Sequence, residues 1–191
     1  MVSVALIFGN FEQFWNQRCR QTHGSARKKV KPLVGREPMG NRLSPHFTLQ
    51  EMTKSQTAIR LGIDNTPSEG HREALEGLCV NVLEPLRGHF KSPVIVSSGY
   101  RSPMLCEEIG SKPTSQHAMG EAADFEIIGV SNYEVACWIR DNIQFDQLIL
   151  EFYEPGQPNS GWIHVSYKSD GHNRKQCLTF DGDNYTIGLF E

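Results

Sequence analysis

The sequence predicts an α+β domain in which N-terminal helices pack on a mostly antiparallel sheet. Two observations lead to this fold class. Apolar side chains recur at helical spacing between residues 66 and 90. Short apolar and β-branched runs typical of strands follow at residues 94–98, 123–127, 146–152 and 162–167. Helices that mostly precede the strands are typical of α+β proteins.

The predicted helices begin at capping residues. Thr48 and Glu51 form a capping box that opens a short helix, and residues 55–61 predict a second helix, which Gly62 ends. The run Thr66-Pro67-Ser68-Glu69 then predicts a long helix with Thr66 as its cap. We expect one apolar face of this helix to pack on the sheet: Leu75, Leu78, Cys79, Val82, Leu83, Leu86 and Phe90.

Two more helices are predicted among the strands. Ser102-Pro103 opens a brief helix, and a second helix runs from Ser131, which pairs with Glu134 in a capping box, to about Ile143. Near the C-terminus, Asp181-Gly182-Asp183 predicts a hairpin-like turn between two short strands.

The composition is that of a globular protein with one core. Of 191 residues, 38% are hydrophobic and 21% are charged, and the net charge of −3 gives no reason to expect a nucleic acid partner. The charge is unevenly placed, because the chain through Leu43 carries eight basic and two acidic residues. We therefore predict a poorly ordered basic extension over residues 1–42 and one domain over residues 43–191. A basic arm for an anionic surface is the alternative for the extension.

The cysteines and apolar runs exclude several protein classes. Five widely spaced cysteines without a CxxC pair predict neither a disulfide framework nor a cysteine–zinc cluster. No apolar run approaches the roughly 20 residues of a membrane span. Residues 2–8 are apolar, but no basic residue precedes them and no small-residue cleavage site follows, so we predict no signal peptide. We expect cytoplasmic synthesis and a monomer.

Three residues have side chains suited to binding zinc. His117 lies in a loop bounded by Gly and Ser, while Asp124 and His164 lie inside apolar predicted strands. A carboxylate among small apolar residues is costly to bury unless it is paired or bound to a metal. Catalytic zinc commonly takes three nitrogen or oxygen ligands from the protein and keeps one position for water. Each residue alone has an ordinary structural explanation, so the prediction depends on their combination.

The motifs around these residues resemble the zinc D-Ala-D-Ala carboxypeptidase family of cell-wall peptidases. The matching motifs are SGYRSP, SQHxxGxAxD, a QLIxE strand and a GWIHVS strand. The segment LSPHFTLQEM resembles the subgroup found in phages and prophages. The resemblance spans about residues 43–167. It implies a hedgehog/D-Ala-D-Ala peptidase-like fold, Zn²⁺ as the cofactor and a peptidoglycan stem peptide as the substrate.

The resemblance also implies roles for individual residues. The zinc ligands would be His117, Asp124 and His164. Arg101 would bind carbonyl or carboxylate oxygens of the substrate through its planar guanidinium; a surface ion pair is the alternative. The pocket beside it would be shaped by Ser115 and Gln116.

The general base is the least defined part of the predicted site. In several relatives an acidic residue stands three positions before the last histidine, but here that position is Gly161. We predict Glu151 as the base, because a hairpin connection would bring it beside His164. Glu154 and Asp146 are the alternatives, and Glu151 at a strand end could also simply face solvent.

The leading functional hypothesis is hydrolysis of a peptide bond in peptidoglycan stem peptides, as by a D-Ala-D-Ala carboxypeptidase or an endolysin. The missing acid at position 161 favours an alternative, a non-catalytic zinc-binding module of the cell wall or the virion with the same fold. A third hypothesis is a hydrolase acting on another amide. Without a signal peptide, the protein would be released on lysis or carried in a virion.

Overall fold

The computed structural model of the chain describes residues 39–190. Its elements follow in this order: a 3-10 turn (Met39–Asn41), α1 (Leu49–Met52), α2 (Gln56–Leu61), α3 (Glu69–Leu78), a π-helical turn (Cys79–Leu83), α4 (Glu84–Phe90), β1 (Val94–Ser98), α5 (Pro103–Glu108), β2 (Ala122–Ile127), α6 (Asn132–Asn142), β3 (Gln147–Glu151), β4 (Trp162–Ser166), β5 (Gln176–Phe180) and β6 (Tyr185–Ile187). The predicted basic extension lies, up to residue 38, outside the described residues.

The six strands form one sheet in the order β1-β2-β4-β3-β5-β6. Every neighbouring pair is antiparallel except β3 and β5, which are parallel. The predicted α+β class with a mostly antiparallel sheet is therefore confirmed. No helix within residues 39–190 is both long and apolar enough to cross a membrane.

The first two helices begin at the residues that the sequence indicates, and the second also ends where predicted. The Thr48 hydroxyl accepts a hydrogen bond from the backbone N–H of Glu51, and the Ser55 hydroxyl accepts one from Ala58. Gly62 ends α2 with φ +66°, a left-handed conformation that glycine adopts without steric cost.

One predicted cap is wrong, and another stands at the predicted position without the predicted hydrogen bond. The cap of α3 is Ser68, whose hydroxyl accepts from the backbone N–H of His71, whereas the N–H of Thr66 donates to Asp64. Ser131 precedes α6 but makes no side-chain capping bond. The first N–H of α6, that of Asn132, donates instead to the carbonyl of Pro158, so a distant loop satisfies this helix end.

The core lies between the helices and one face of the sheet. The long helical segment from α3 to α4 contributes the predicted apolar face, and six of its side chains are buried: Leu75, Leu78, Cys79, Val82, Leu83 and Leu86. The central strands add buried apolar side chains at alternate positions: Ala123, Phe125, Leu148, Leu150, Ile163 and Val165. Because side chains alternate between the two faces of a strand, the positions adjacent to these point to the opposite face. Those positions include Asp124, Glu151 and His164.

Candidate metal centre

The strand register places Asp124 and His164 side by side. Asp124 on β2 lies directly opposite His164 on the neighbouring strand β4, and both side chains point away from the helix-covered face. His117 reaches the same point from the loop that connects α5 and β2. The sheet therefore supplies two of the three predicted ligands, and the loop supplies the third.

The three side chains converge on one point. The Nε2 atom of His117 lies 3.2 Å from Nδ1 of His164 and 3.2 Å from Oδ1 of Asp124. The Nδ1 atom of His164 lies 2.9 Å from the same oxygen. Ligand atoms about 2.0–2.2 Å from a tetrahedral zinc ion lie about 3.3–3.6 Å from one another. The observed triangle is close to those edges, and this donor set could hold a metal ion.

The other nitrogen of each imidazole faces a hydrogen-bond acceptor. Nδ1 of His117 lies 2.7 Å from the carbonyl oxygen of Gly99, and Nε2 of His164 lies 3.5 Å from Oε1 of Gln116. An N–H donated to these acceptors leaves the opposite nitrogen of each ring free to bind a metal. A β-carbon at Gly99 would come within 2.3 Å of the Met52 carbonyl oxygen, so only glycine lets this backbone approach α1.

The electrostatics favour the protonation states that bind a metal. Burial lowers the pKa of His117 in spite of the neighbouring Asp124, which favours the neutral imidazole. Burial opposes ionisation of Asp124, but interactions with His117 and His164 outweigh it and hold the pKa of this carboxyl well below its usual range. Neutral imidazoles and an ionised carboxylate are the metal-binding forms of these groups.

Arg101 contacts the predicted ligand set directly. Its Nη2 donates to Oδ2 of Asp124 at 2.7 Å, and its Nε donates to the Ser98 hydroxyl at 2.8 Å. The second carboxylate oxygen, Oδ1, is the one shared with the two histidines. Arg101 also lines the cleft above the site. A guanidinium has five N–H donors, so these two contacts leave others for a ligand in the cleft.

The cleft is lined by most of the residues that the sequence predicts for the site. Its volume is about 1200 Å³, and the predicted residues in its lining are Arg101, Ser115, Gln116, His117, Asp124, Glu151 and His164. Basic side chains also line it, namely Lys112, Lys168 and Arg174. A second cleft of about 900 Å³ lies against α1 and α2 and contains none of the predicted site residues.

Of the three carboxylates considered as a base, Glu151 is the one that lines the cleft. It lies opposite Trp162 on the paired strand β4. Trp162 is two positions before His164, so Glu151 and His164 lie on the same face of the sheet. Burial, reinforced by the negative charge of Asp124, raises the pKa of Glu151. Glu154 is exposed. Asp146 is fully buried and bound by Arg174.

Gly161 occupies a position where no side chain fits. Its φ is +64°, and a β-carbon there would come within 1.9 Å of the carbonyl oxygen of Glu151 and 2.6 Å of the carbonyl carbon of Phe152. The departure noted in the sequence therefore has a steric cause, since an acidic side chain three positions before His164 would collide with the end of β3.

The supporting roles of Asp146, predicted only as an alternative base, and of Arg174 were not anticipated. Asp146 accepts a hydrogen bond from Gln116 at 2.7 Å, and it forms a two-point ion pair with Arg174. No sequence pattern indicates this arrangement, because Arg174 follows β4 in a polar loop with no recognisable motif. The polar Gln116 between Ser115 and His117 was the only indication that this wall needs a hydrogen-bonding side chain.

A comparison with protein-family models finds a match over the part of the chain that contains this site. A protein-family model described as Peptidase M15 matches residues 45–166, which include the three converging side chains, Arg101 and Glu151. No curated protein matches the chain.

Proposed function

The chain belongs to the peptidase M15 family, and on that premise we propose that it is a zinc metallopeptidase that hydrolyses a peptide bond in bacterial peptidoglycan stem peptides. The observation that carries this proposal is the convergence of His117, Asp124 and His164 at the floor of an open cleft. Three ligands from the protein leave a coordination position for water, as catalytic zinc sites require.

Zinc bound there would lower the pKa of a water molecule to about 7 and polarise the carbonyl of the scissile bond. Glu151 would accept the proton of that water and deliver it to the departing amine. Its raised pKa suits this task, because a base with a pKa nearer to the working pH both accepts and returns a proton readily.

Arg101 would orient the substrate. Its guanidinium lies against Asp124 and lines the cleft, where it can donate hydrogen bonds to a carbonyl or carboxylate oxygen. Ser115 and Gln116 lie on the same wall. The cleft lining carries both basic and acidic side chains, and Lys112 and Lys168 are the basic ones besides Arg101 and Arg174 that could bind a carboxylate of a stem peptide.

The test is to incubate the full chain with intact peptidoglycan and with stem peptides that end in D-Ala-D-Ala. Released D-alanine and newly formed amino termini are then measured by mass spectrometry. We expect hydrolysis that stops when a chelator removes the metal and returns when Zn²⁺ is added. Product formation that continues after complete metal removal would refute the metallopeptidase.

Glu151→Gln separates catalysis from metal binding. We expect it to lower kcat by about 10²–10⁴-fold, the usual contribution of a general base, while the bound zinc stays at one ion per chain. Glu154→Gln is the matched control, because this exposed glutamate lies three residues away and outside the cleft lining. One bound zinc ion with no hydrolysis of any of these substrates by the parent protein would support the alternative, a non-catalytic zinc-binding module.

A further inference from the structure

We infer that Gln116 and Asp146 form a positioning pair that presents the Nδ1 atom of His164 to the metal. The inference rests on the zinc site proposed above, but not on which peptide bond is cleaved. It concerns two side chains that do not touch the three converging ligand atoms themselves.

The orientation of the Gln116 amide follows from its partner. Its Nε2 donates to Oδ2 of Asp146 at 2.7 Å. An ionised carboxylate only accepts hydrogen bonds, so the NH₂ end of the amide must face Asp146 and the oxygen must face the other way. That oxygen lies 3.5 Å from Nε2 of His164, at the outer limit of a hydrogen bond.

The amide oxygen then selects one tautomer of His164. In the metal-free chain, Oδ1 of Asp124 lies 2.9 Å from Nδ1 and competes for the proton. Once a metal takes the place of the Nδ1 proton, the acceptor opposite Nε2 stabilises the form that carries its proton on Nε2 and its lone pair on Nδ1. Nδ1 is the atom that lies 2.9 Å from Asp124 and 3.2 Å from His117. The pair therefore restrains the rotation of the ring and stabilises the tautomer that offers Nδ1 to the metal.

Asp146 is held firmly enough to serve as the anchor. Its side chain is fully buried. Arg174 donates to it from Nε at 2.9 Å, from Nη2 at 2.5 Å and from its backbone N–H at 3.2 Å. The backbone N–H of Asp146 also donates to the carbonyl of Ser166. This anchor reaches outside the matched residues 45–166, since Arg174 follows them.

The second histidine does not depend on this pair. Nδ1 of His117 faces the backbone carbonyl of Gly99, which no substitution at position 116 removes. Loss of the Gln116 amide should therefore disturb one ligand of three. We therefore expect a protein without this amide to bind zinc more weakly and with a changed ligand geometry, but still to bind it.

The experiment compares Gln116→Met with Gln147→Met in the full chain. Methionine keeps the length of glutamine without its hydrogen bonds. Gln147 lines the same cleft, but its amide bonds Gln176. Competition with a chelator measures the zinc affinity, and we expect Gln116→Met to bind about 10–100-fold more weakly than the parent. We expect Gln147→Met to keep the parent affinity.

Two further readouts separate positioning from a general loss of structure. The visible spectrum of the cobalt-loaded protein should change in Gln116→Met and not in Gln147→Met. Both metal-free variants should still unfold in one cooperative thermal transition, with a lower Tm in Gln116→Met because it removes one hydrogen bond from the buried Asp146 carboxylate. In the zinc-loaded parent, labelled with ¹⁵N at histidine, NMR should show the His164 proton on Nε2. That measurement needs no variant and remains available if Gln116→Met does not fold.

Parent-like zinc affinity and an unchanged cobalt spectrum in Gln116→Met would overturn the inference. So would a proton on Nδ1 of His164 in the zinc-loaded parent. Neither readout involves peptide hydrolysis, so a failure here leaves the proposed peptidase intact. A parent chain that binds no zinc would overturn the proposed function and this inference together.

Discussion

The backbone of Gly161 lies against the carbonyl oxygen of Glu151, so close that a β-carbon at position 161 would be 1.9 Å from that oxygen. The residue that leaves no room for an acid at position 161 therefore packs on the residue that we propose as the base. Strand β3 ends in Glu151, and glycine at position 161 leaves room for that strand end.

Replacement of Gly161 by alanine should destabilise the protein strongly. Both the positive φ and the collision with the end of β3 oppose it, so we expect a loss of more than about 3 kcal/mol in the free energy of unfolding. Gly156→Ala is the control, because Gly156 has φ +81° but open space around it. We expect that variant to cost only about 1–2 kcal/mol. Denaturant unfolding measures both free energies. Equal losses in the two variants would show that the backbone at Glu151 moves to make room for the β-carbon at no cost in free energy.

Removal of Arg174 should destabilise the fold through Asp146. The variant Arg174→Ala leaves a fully buried carboxylate without its main partner. We expect a loss of about 2–3 kcal/mol, below the usual cost of breaking a buried pair, because the guanidinium is half exposed. Arg140→Ala, which breaks an exposed pair with Asp141, should have little effect. Similar unfolding midpoints for the two variants would contradict this prediction.

The same ion pair should contribute to sensitivity to acid. Hydrogen bonds from Arg174 outweigh the opposing effect of burial and hold the pKa of Asp146 below its ordinary value of 3.8. A carboxyl whose folded pKa is depressed stabilises the protein above its unfolded pKa, and this stability is lost as the pH falls through the folded pKa. Between about pH 4 and pH 2, the free energy of unfolding should therefore fall less steeply in Asp146→Asn than in the parent. Urea unfolding at several pH values measures both slopes, and parallel slopes would argue against this role.

Peptidase activity should decline in acid at a pH above the ordinary pKa of glutamate, about 4.3. Burial and the charge of Asp124 raise the pKa of Glu151, and a general base works only in its deprotonated form. As the pH falls through that raised pKa, kcat/KM should fall tenfold per unit. The residual activity of Glu151→Gln should lack this acid limb. An identical limb in the variant would mean that another group provides it.

Zinc should stabilise the folded chain. A ligand that binds only the native state adds about 2.7 kcal/mol at a concentration one hundred times its dissociation constant. Differential scanning calorimetry should therefore show a higher Tm with added Zn²⁺ in the parent and no such increase in His164→Ala, which lacks one of the three ligand atoms. Mg²⁺ is the control ion, because it binds imidazole poorly. A Tm that does not respond to zinc would contradict a metal site in the native state.

The strand alternation explains why much of the fold and the placement of His164 could be predicted from the sequence. Ile163 and Val165 mark the core face of β4, so the histidine between them had to point to the other face. The helices were recognisable because capping is local: Thr48 bonds a residue only three positions away. The capping error at Thr66 is also local, since two candidate caps, Thr66 and Ser68, stand on either side of Pro67.

The supporting contacts of the site could not be predicted in this way. Arg174 meets Asp146 across 28 residues of chain, and the close approach of Gly161 to Glu151 depends on how β3 ends. Neither contact follows from periodicity or motif spacing. Both arise from the paths of loops, and loop paths are decided by tertiary packing, which a local pattern does not encode.

The parallel pairing of β3 with β5 has a consequence for folding kinetics. Strand β4, the antiparallel neighbour of β3, lies between β3 and β5 in the chain, so the parallel pair joins segments that are distant in sequence. The site itself draws on residues from Gly99 to Arg174. Contacts of such high sequence separation form late, because the entropy of closing long loops must be overcome first. We therefore expect the ion to bind after the rate-limiting step, so that it slows unfolding and leaves the refolding rate almost unchanged.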